Sequence, residues 1–155
     1  MRIDTNMSQK KSILLVDDDQ LILTSTRLIL ELEGYSVDLA ENGREAVEKS
    51  NTRFYNLAIV DWRLPDIEGT TLLLQLTETN PRMSMIMLTG YPSKENSALA
   101  IRNGAKAFII KPVDLDFLLN KINETLKKQE DLLVSVQEEV KIFVATKTVE
   151  AEQCK

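Results

Sequence analysis

Short runs of apolar residues alternate along this chain with longer segments in which apolar residues recur every three or four positions. The apolar runs predict five strands, at residues 12–16, 35–39, 57–60, 83–88 and 107–110. The segments between them predict four helices, near residues 20–33, 43–51, 69–79 and 94–103. Glycine follows two of these helices, at Gly34 and Gly104, where helices commonly end in the left-handed conformation.

The predicted strands are nearly continuous in apolar residues instead of alternating with polar ones. Strands of a parallel sheet that is covered on both faces have this composition. Five such strands separated by helices predict an α/β fold, in which a five-stranded parallel sheet is doubly wound. In folds of this class ligands bind beyond the carboxyl ends of the strands, so the residues at those ends are the candidates for function.

A fifth helix is predicted to begin around Asp114, and neither glycine nor proline follows it. Its apolar residues keep a heptad-like spacing that the polar Gln129 interrupts; they are Ile122, Leu126, Leu133, Val136, Val140 and Phe143. Three roles remain open for this extension: a coiled coil that forms a homodimer, a segment that docks on a partner or folds back, and a linker from a longer protein. The chain is thus divided into a disordered lead (1–11), an α/β domain (12–126) and a helical extension (127–155).

Composition narrows the function classes. The 155 residues carry a net charge of −5 and have a pI near 4.9, which argues against direct binding of nucleic acid. No apolar stretch approaches the roughly 20 residues of a membrane span, and the lead lacks the apolar centre of a signal peptide. The single cysteine, Cys154, permits no disulfide framework, and the lack of histidine excludes the usual zinc and Ser-His-Asp sites. We expect a cytoplasmic protein without a membrane partner.

Acidic, hydroxyl and basic residues follow four of the predicted strands. In chain order they are Asp17, Asp18 and Asp19, then Asp61, then Thr89, then Lys111-Pro112. Carboxylates that lie close together repel each other, which favours their protonation unless a cation binds between them. Mg²⁺ prefers hard oxygen ligands of this kind. Asp18 and Asp61 could bind this metal directly, with Asp17 holding a water molecule. An oxygen of Asp61 could then attack phosphorus, while Lys111 offsets charge and Thr89 donates a hydrogen bond.

These residues resemble the motifs of the response-regulator receiver domain, the CheY-like domain of two-component signalling. The resemblance covers about residues 11–126 and rests on five motifs that occur in order. They are Val16-Asp17-Asp18, Asp61, Leu64-Pro65-Asp66 with Gly69, Thr89-Gly90 and Lys111-Pro112. The resemblance implies a flavodoxin-like sheet with the strand order 2-1-3-4-5.

The resemblance also implies a role for each acidic residue. Asp61 would be the phosphoacceptor, and Mg²⁺ would bind Asp17, Asp18, Asp61 and the backbone carbonyl of Arg63. The phosphoryl donor would be a histidine kinase or a phosphotransfer protein, and a downstream protein would recognise the phosphorylated state. By this resemblance the domain catalyses only its own phosphorylation and dephosphorylation and is not otherwise an enzyme. Its implied function is signal transduction in a phosphorelay.

A second group of residues would contact the phosphoryl group or respond to it. Thr89 and Lys111 would contact the group, and Phe108 would turn inward when Thr89 shifts. The peptide bond that follows Lys111 is expected to be cis, which its proline makes tolerable. Arg63 and Tyr91, each two residues after a site residue, would flank the phosphoryl group and shield it from water.

Other interpretations remain open for the same residues. The acidic run could simply cap the first helix, where carboxylates are favourable. Alternatively, Asp17 and Asp19 resemble the nucleophile and general acid of a phosphatase of the haloacid dehalogenase type, which would leave Asp61 without a role. A receiver-like adaptor that is no longer phosphorylated is the third alternative.

Overall fold

The structure, a computed structural model, describes residues 10–153, in which five strands and five helices alternate. They are β1 (Ser12–Val16), α1 (Gln20–Leu32), β2 (Ser36–Ala40), α2 (Gly43–Thr52), β3 (Leu57–Asp61), α3 (Gly69–Thr79), β4 (Ser84–Thr89), α4 (Lys94–Arg102), β5 (Ala107–Ile110) and α5 (Leu115–Gln153). The strands form one parallel sheet in the order β2-β1-β3-β4-β5. The predicted fold class and strand order are therefore confirmed.

The boundaries of the elements differ from the predicted ones by at most one residue. Strands β3 and β4 end one residue later than predicted, at Asp61 and Thr89. The pairing continues through these polar residues, because Asp61 lies opposite Leu88 and Thr89 lies opposite Ile110. Two candidate site residues are thus held by the backbone of the sheet itself.

Each face of the sheet is covered by its own apolar cluster. Alternate residues of β1 show this division, because Leu14 and Val16 belong to one cluster and Ile13 and Leu15 to the other. Helices α2, α3 and α4 contribute to the first cluster, whereas α1 and α5 contribute to the second. Burial on both faces explains why the strands are nearly continuous in apolar residues.

Two glycines end helices as predicted. Gly34 follows α1 with φ of 96°, and Gly104 follows α4 with φ of 110°. Residues with a side chain rarely adopt this conformation, so glycine sets the point at which the chain turns back toward the next strand.

Helix α5 is 39 residues long, which corresponds to about 58 Å. Its side chains are buried at Leu118, Ile122, Thr125 and Leu126, whereas residues 130–152 are all exposed. No helix within residues 10–153 has the length and apolar character that crossing a membrane requires. Residues 1–9 of the predicted lead, and Cys154, lie outside the described residues.

Candidate functional site

The carboxyl ends of the strands bring four site residues together. Asp17 follows β1 directly and Asp61 is the last residue of the adjacent β3, and their exposed fractions are only 2% and 8%. Thr89 ends β4 and is fully buried, and Lys111 follows β5. The strand order therefore places these residues at one edge of the sheet, as the sequence predicts.

Three carboxylates form the acidic centre of this site. Asp17, Asp18 and Asp61 each offer an oxygen atom, and these oxygens lie within 4.8 Å of one another. Asp18 is exposed, whereas the other two are buried, so the cluster is open to solvent on one side. A set of hard oxygen ligands with this spacing fits a divalent cation such as Mg²⁺, which usually keeps several water ligands.

A lysine joins the two buried carboxylates. The Nζ atom of Lys111 lies 2.8 Å from Asp61 Oδ1 and 3.1 Å from Asp17 Oδ2. Burial raises the pKa of Asp61, the nearby charges of Asp17 and Asp18 raise it further, and Lys111 only partly opposes them. Burial alone would lower the pKa of Lys111, but the two carboxylates outweigh burial and raise it. The site therefore holds a charged lysine and an excess of negative charge that a cation would offset.

The loop after β3 is held close to the start of α3. The amide of Gly69 donates to the carbonyl oxygen of Trp62 at 2.7 Å, and Arg63 pairs with Glu68 in an isolated antiparallel bridge. A Cβ atom at Gly69 would lie only 2.3 Å from the carbonyl oxygen of Asp61, so no side chain fits there. These contacts fix the backbone of Arg63, whose carbonyl is the implied further metal ligand.

Asp66 ties the same loop to another helix. Its Oδ1 accepts a hydrogen bond from the amide of Gly43 at 2.9 Å, and its Oδ2 accepts one from the amide of Arg44 at 3.0 Å. The sequence places Asp66 in the Leu64-Pro65-Asp66 motif but gives no sign of this partner, because the two segments are about 20 residues apart in the chain. Asp66 thus joins the loop that follows Asp61 to the start of α2.

The two large residues expected to flank the phosphoryl group contact each other. The guanidinium carbon of Arg63 lies 3.8 Å from the centre of the Tyr91 ring, a distance typical of a cation–π contact. The Thr89 hydroxyl accepts a hydrogen bond from the amide of Tyr91 at 2.9 Å, which leaves its proton free to donate elsewhere. Sequence spacing alone predicts that both residues are near the site but does not predict this contact.

Phe108 lies on the strand next to β4, half-buried against the core. Its ring meets that of Trp62 edge to face, with 6.4 Å between the ring centres and 84° between the ring planes. Trp62 follows Asp61 in the chain and is buried. The Lys111–Pro112 peptide bond is cis, as the resemblance implies.

Asp19 does not belong to the carboxylate cluster found among residues 10–153. Its Oδ1 accepts hydrogen bonds from the amides of Leu21 and Ile22, at 3.0 and 3.3 Å, and so caps α1. The helix-capping interpretation of the acidic run therefore applies to Asp19. The phosphatase interpretation needs Asp19 as a general acid, but these hydrogen bonds already occupy one of its carboxylate oxygens.

Comparisons with known proteins agree with this geometry. A family model described as the response regulator receiver domain matches residues 13–123. The transcriptional regulatory protein GlrR of Escherichia coli K12 is 37% identical over 123 residues, which cover 79% of this chain and 28% of that protein. A CheY-like receiver domain protein from Methanospirillum hungatei is 49% identical, with a TM-score of 0.76 and coverage of 79% of this chain and 98% of that one.

A further solved structure bears on the chemistry. It is a response regulator from Burkholderia pseudomallei that contains a phosphorylated aspartic acid, a calcium ion and citrate. This protein is 25% identical to the present chain, with a TM-score of 0.71 and coverage of 79% of this chain and 72% of that one. Both its fold and its modified residue type are those expected of a receiver.

The chain belongs to the response regulator receiver domain family. It is a signalling domain of the two-component type, and such domains bind a divalent metal at their acidic residues and receive signals from a histidine kinase. The chain spans only 26–28% of the length of the first curated relatives, which are transcriptional regulatory proteins.

Proposed function

We propose that this chain accepts a phosphoryl group on Asp61 from a histidine kinase or a phosphotransfer protein, in a reaction that requires Mg²⁺. The observation that carries the proposal is the position of Asp61. It ends a buried strand, lies 2.8 Å from Lys111 and shares a cluster of ligand oxygens with Asp17 and Asp18. Phosphoryl transfer asks the protein mainly for positioning and for charge stabilisation, and these neighbours supply both.

Each residue has a distinct part in the transfer. Asp17, Asp18 and Asp61, with the carbonyl of Arg63, would hold Mg²⁺, which when bound neutralises charge on the transferred phosphoryl group. An oxygen of Asp61 forms the new bond to phosphorus, while the bond between phosphorus and the donor breaks and its electron pair leaves with the donor. Lys111 remains protonated and offsets the negative charge that now extends from the aspartate.

The phosphorylated state would differ from the free state at the Thr89 and Phe108 positions. A phosphoryl group adds nearly two negative charges and strong acceptor oxygens. The Thr89 hydroxyl donates to one of these oxygens, and Phe108 moves into the space that Thr89 leaves. A downstream protein would then recognise the surface of α4, β5 and α5, since only contacts that differ between two states can shift their populations.

Arg63 and Tyr91 would set the lifetime of the acyl phosphate. Their stacked side chains form one large cover beside the phosphoryl position and slow the approach of water. Replacing both by alanine should speed loss of the phosphoryl group several-fold, whereas Arg102→Ala, at an exposed position of α4, should leave it unchanged. An unchanged decay rate in the double variant contradicts this shielding role.

Intact mass measured after incubation with acetyl phosphate tests the acceptor directly. We expect a phosphoryl adduct on the wild type that requires Mg²⁺ and is absent from Asp61→Asn. An adduct that persists in Asp61→Asn but disappears in Asp17→Asn would instead identify the phosphatase-type nucleophile. The absence of any adduct, both with acetyl phosphate and with phosphoramidate, would favour the unphosphorylated adaptor.

A further inference from the structure

The implied metal ligand at Arg63 is a backbone oxygen, so its position depends on the loop that carries it. This loop, residues 63–68, lies between β3 and α3, and we call it the β3–α3 loop. A carbonyl oxygen has no side-chain torsion with which to adjust its position, so the loop must hold the whole peptide group in place. A residue that fixes this loop can therefore act on metal binding without contacting the metal.

The base of the β3–α3 loop is closed at the end of β3. The amide of Gly69 donates to the carbonyl oxygen of Trp62 at 2.7 Å, and Arg63 pairs with Glu68 in an antiparallel bridge. These contacts join the two ends of the loop to each other. The position of its tip, Pro65-Asp66-Ile67, depends on contacts with another part of the chain.

The tip of the loop is joined to α2. Asp66 uses both of its carboxylate oxygens, which accept hydrogen bonds from the amides of Gly43 and Arg44 at 2.9 and 3.0 Å. Ile67 packs against the first apolar cluster, and a Cβ atom at Gly43 would overlap its side chain. The tip therefore lies directly against the backbone at the start of α2.

The start of α2 is itself held in place. Asn42 Oδ1 accepts a hydrogen bond from the amide of Glu45 at 2.8 Å, and Ala46 is buried in the first apolar cluster. The first amides of a helix have no partners within the helix. Here Asp66 accepts from the first two amides of α2 and Asn42 accepts from the third, so two residues from different segments cap the same helix.

We propose that Asp66 is a positioning residue for the metal site. By joining the tip of the β3–α3 loop to α2, it holds the carbonyl of Arg63 where Mg²⁺ can bind. This role depends on the proposed function, because it requires Mg²⁺ at the carboxylate cluster. The hydrogen bond of Asn42 stays within the segment that begins α2, whereas those of Asp66 cross to the loop. Only Asp66 should therefore affect the metal.

Isothermal titration calorimetry with Mg²⁺ tests this role, and Asn42→Ala is the matched control. Asp66→Ala should weaken Mg²⁺ binding by about tenfold, the lower end of the effect seen when the support of a metal ligand is removed. Asn42→Ala also removes a cap of α2 but should keep the affinity of the wild type. Asp66→Asn retains one acceptor oxygen, so its affinity should lie between those of Asp66→Ala and the wild type.

Three results of the titration would overturn the role of Asp66. They are an unchanged affinity in Asp66→Ala, an equal loss in Asn42→Ala, and an equal loss in Asp66→Asn. Asp66→Asn and Asp66→Ala remove the same charge, so an equal loss in both would assign the effect to charge and not to position. A wild type that binds no Mg²⁺ would contradict the proposed function and this role together.

Hydrogen exchange of the Gly69 amide, measured without Mg²⁺, provides a second test. The hydrogen bond of this amide to Trp62 closes the base of the loop, so loosening of the loop should raise its exchange rate. We expect exchange to be several-fold faster in Asp66→Ala and unchanged in Asn42→Ala. An unchanged rate in Asp66→Ala would show that the loop is held without this residue and would overturn the proposal.

Discussion

Asp61 is subject to opposing electrostatic influences. Lys111 stabilises its charge at 2.8 Å, whereas burial and the neighbouring Asp17 and Asp18 destabilise that charge and raise the pKa of Asp61. When folding raises the pKa of an acid, the ionised form of that acid is less favourable in the folded state than in the unfolded state. Asp61 therefore lowers the free energy of unfolding at pH values above its ordinary pKa. A bound cation would remove this unfavourable interaction, and so would neutralisation of Asp61.

Magnesium should therefore stabilise the wild type much more than Asp61→Asn. With free Mg²⁺ at about ten times its dissociation constant, binding adds about 1.4 kcal/mol to the free energy of unfolding. This corresponds to a rise of roughly 3–6 °C in the melting temperature of a chain of this size. Differential scanning calorimetry with and without Mg²⁺ measures the rise, and Trp62 fluorescence should change in parallel.

The control for that prediction is Asp131→Asn, which removes an exposed carboxylate of α5. It should respond to Mg²⁺ as the wild type does, and without Mg²⁺ only Asp61→Asn should be more stable than the wild type. An equal response of Asp61→Asn and the wild type would remove Asp61 from the proposed ligand set.

At the scale of elements, two contacts between distant segments position the helices. Asp66 accepts two hydrogen bonds from the first amides of α2, and Gln129 of α5 donates to carbonyls that precede β3 and β4. The Asp66 contact satisfies amides that the start of a helix leaves without intrahelical partners. The two contacts connect the loop after Asp61 to α2, and the long helix to the opposite edge of the sheet.

Asp66→Ala should destabilise the protein by about 1 kcal/mol at neutral pH, as expected for loss of a helix cap. The amides of Gly43 and Arg44 lower the pKa of Asp66 below 3.8, although burial acts in the opposite direction. Because the pKa of Asp66 is lower in the folded state, the stabilisation by its ionised side chain is complete at pH values above 3.8. This stabilisation is lost as the pH falls through the pKa of Asp66 in the folded state. Urea unfolding of both proteins should therefore differ at pH 7 and converge in strong acid, and a difference that stays constant with pH would contradict the ionic cap.

Gln129→Ala should lower the free energy of unfolding by about 1–3 kcal/mol, because the carbonyl of Arg82 loses this donor, whereas that of Asn56 keeps the amide of Ser84. Gln137→Ala on the exposed part of the same helix is the matched control and should have an effect below about 0.5 kcal/mol. Urea unfolding monitored through Trp62 measures both. Equal effects of the two substitutions would mean that the Gln129 contact contributes no stability.

On the scale of the whole molecule, the strand order separates the acidic site from the helical extension. The carboxyl ends of the strands hold the acidic site, and the opposite edge of the sheet holds the start of the helical extension. The two regions share no residues. We therefore expect that removal of the extension leaves the site intact.

A version of the chain that ends at Glu130 should keep its Mg²⁺ response and its phosphorylation, since it retains Gln129 and every buried residue of α5. Calorimetry with and without Mg²⁺, and intact mass after incubation with acetyl phosphate, measure these two properties. Loss of the Mg²⁺ response on truncation would show that the site depends on the extension.

The sequence by itself determined the fold class, the element boundaries to within one residue, and the residues that follow the strands. These properties depend on local composition: continuous apolar runs, helical spacing and the glycines at Gly34 and Gly104. The acidic residues that meet at the sheet edge were predictable too, because a parallel sheet brings the ends of its strands together. Their motifs also led to the correct family.

Only the tertiary structure decided the contacts between residues far apart in the chain. The pairing of Arg63 with Tyr91, the cap of Asp66 on α2 and the hydrogen bonds of Gln129 depend on side-chain directions that no local pattern encodes. Gln129 is the clearest case, because in the sequence it is a polar interruption of an apolar stripe. In the folded chain it donates to the carbonyls of Asn56 and Arg82 at the edge of the sheet, and the position of that edge exists only after the strands have assembled.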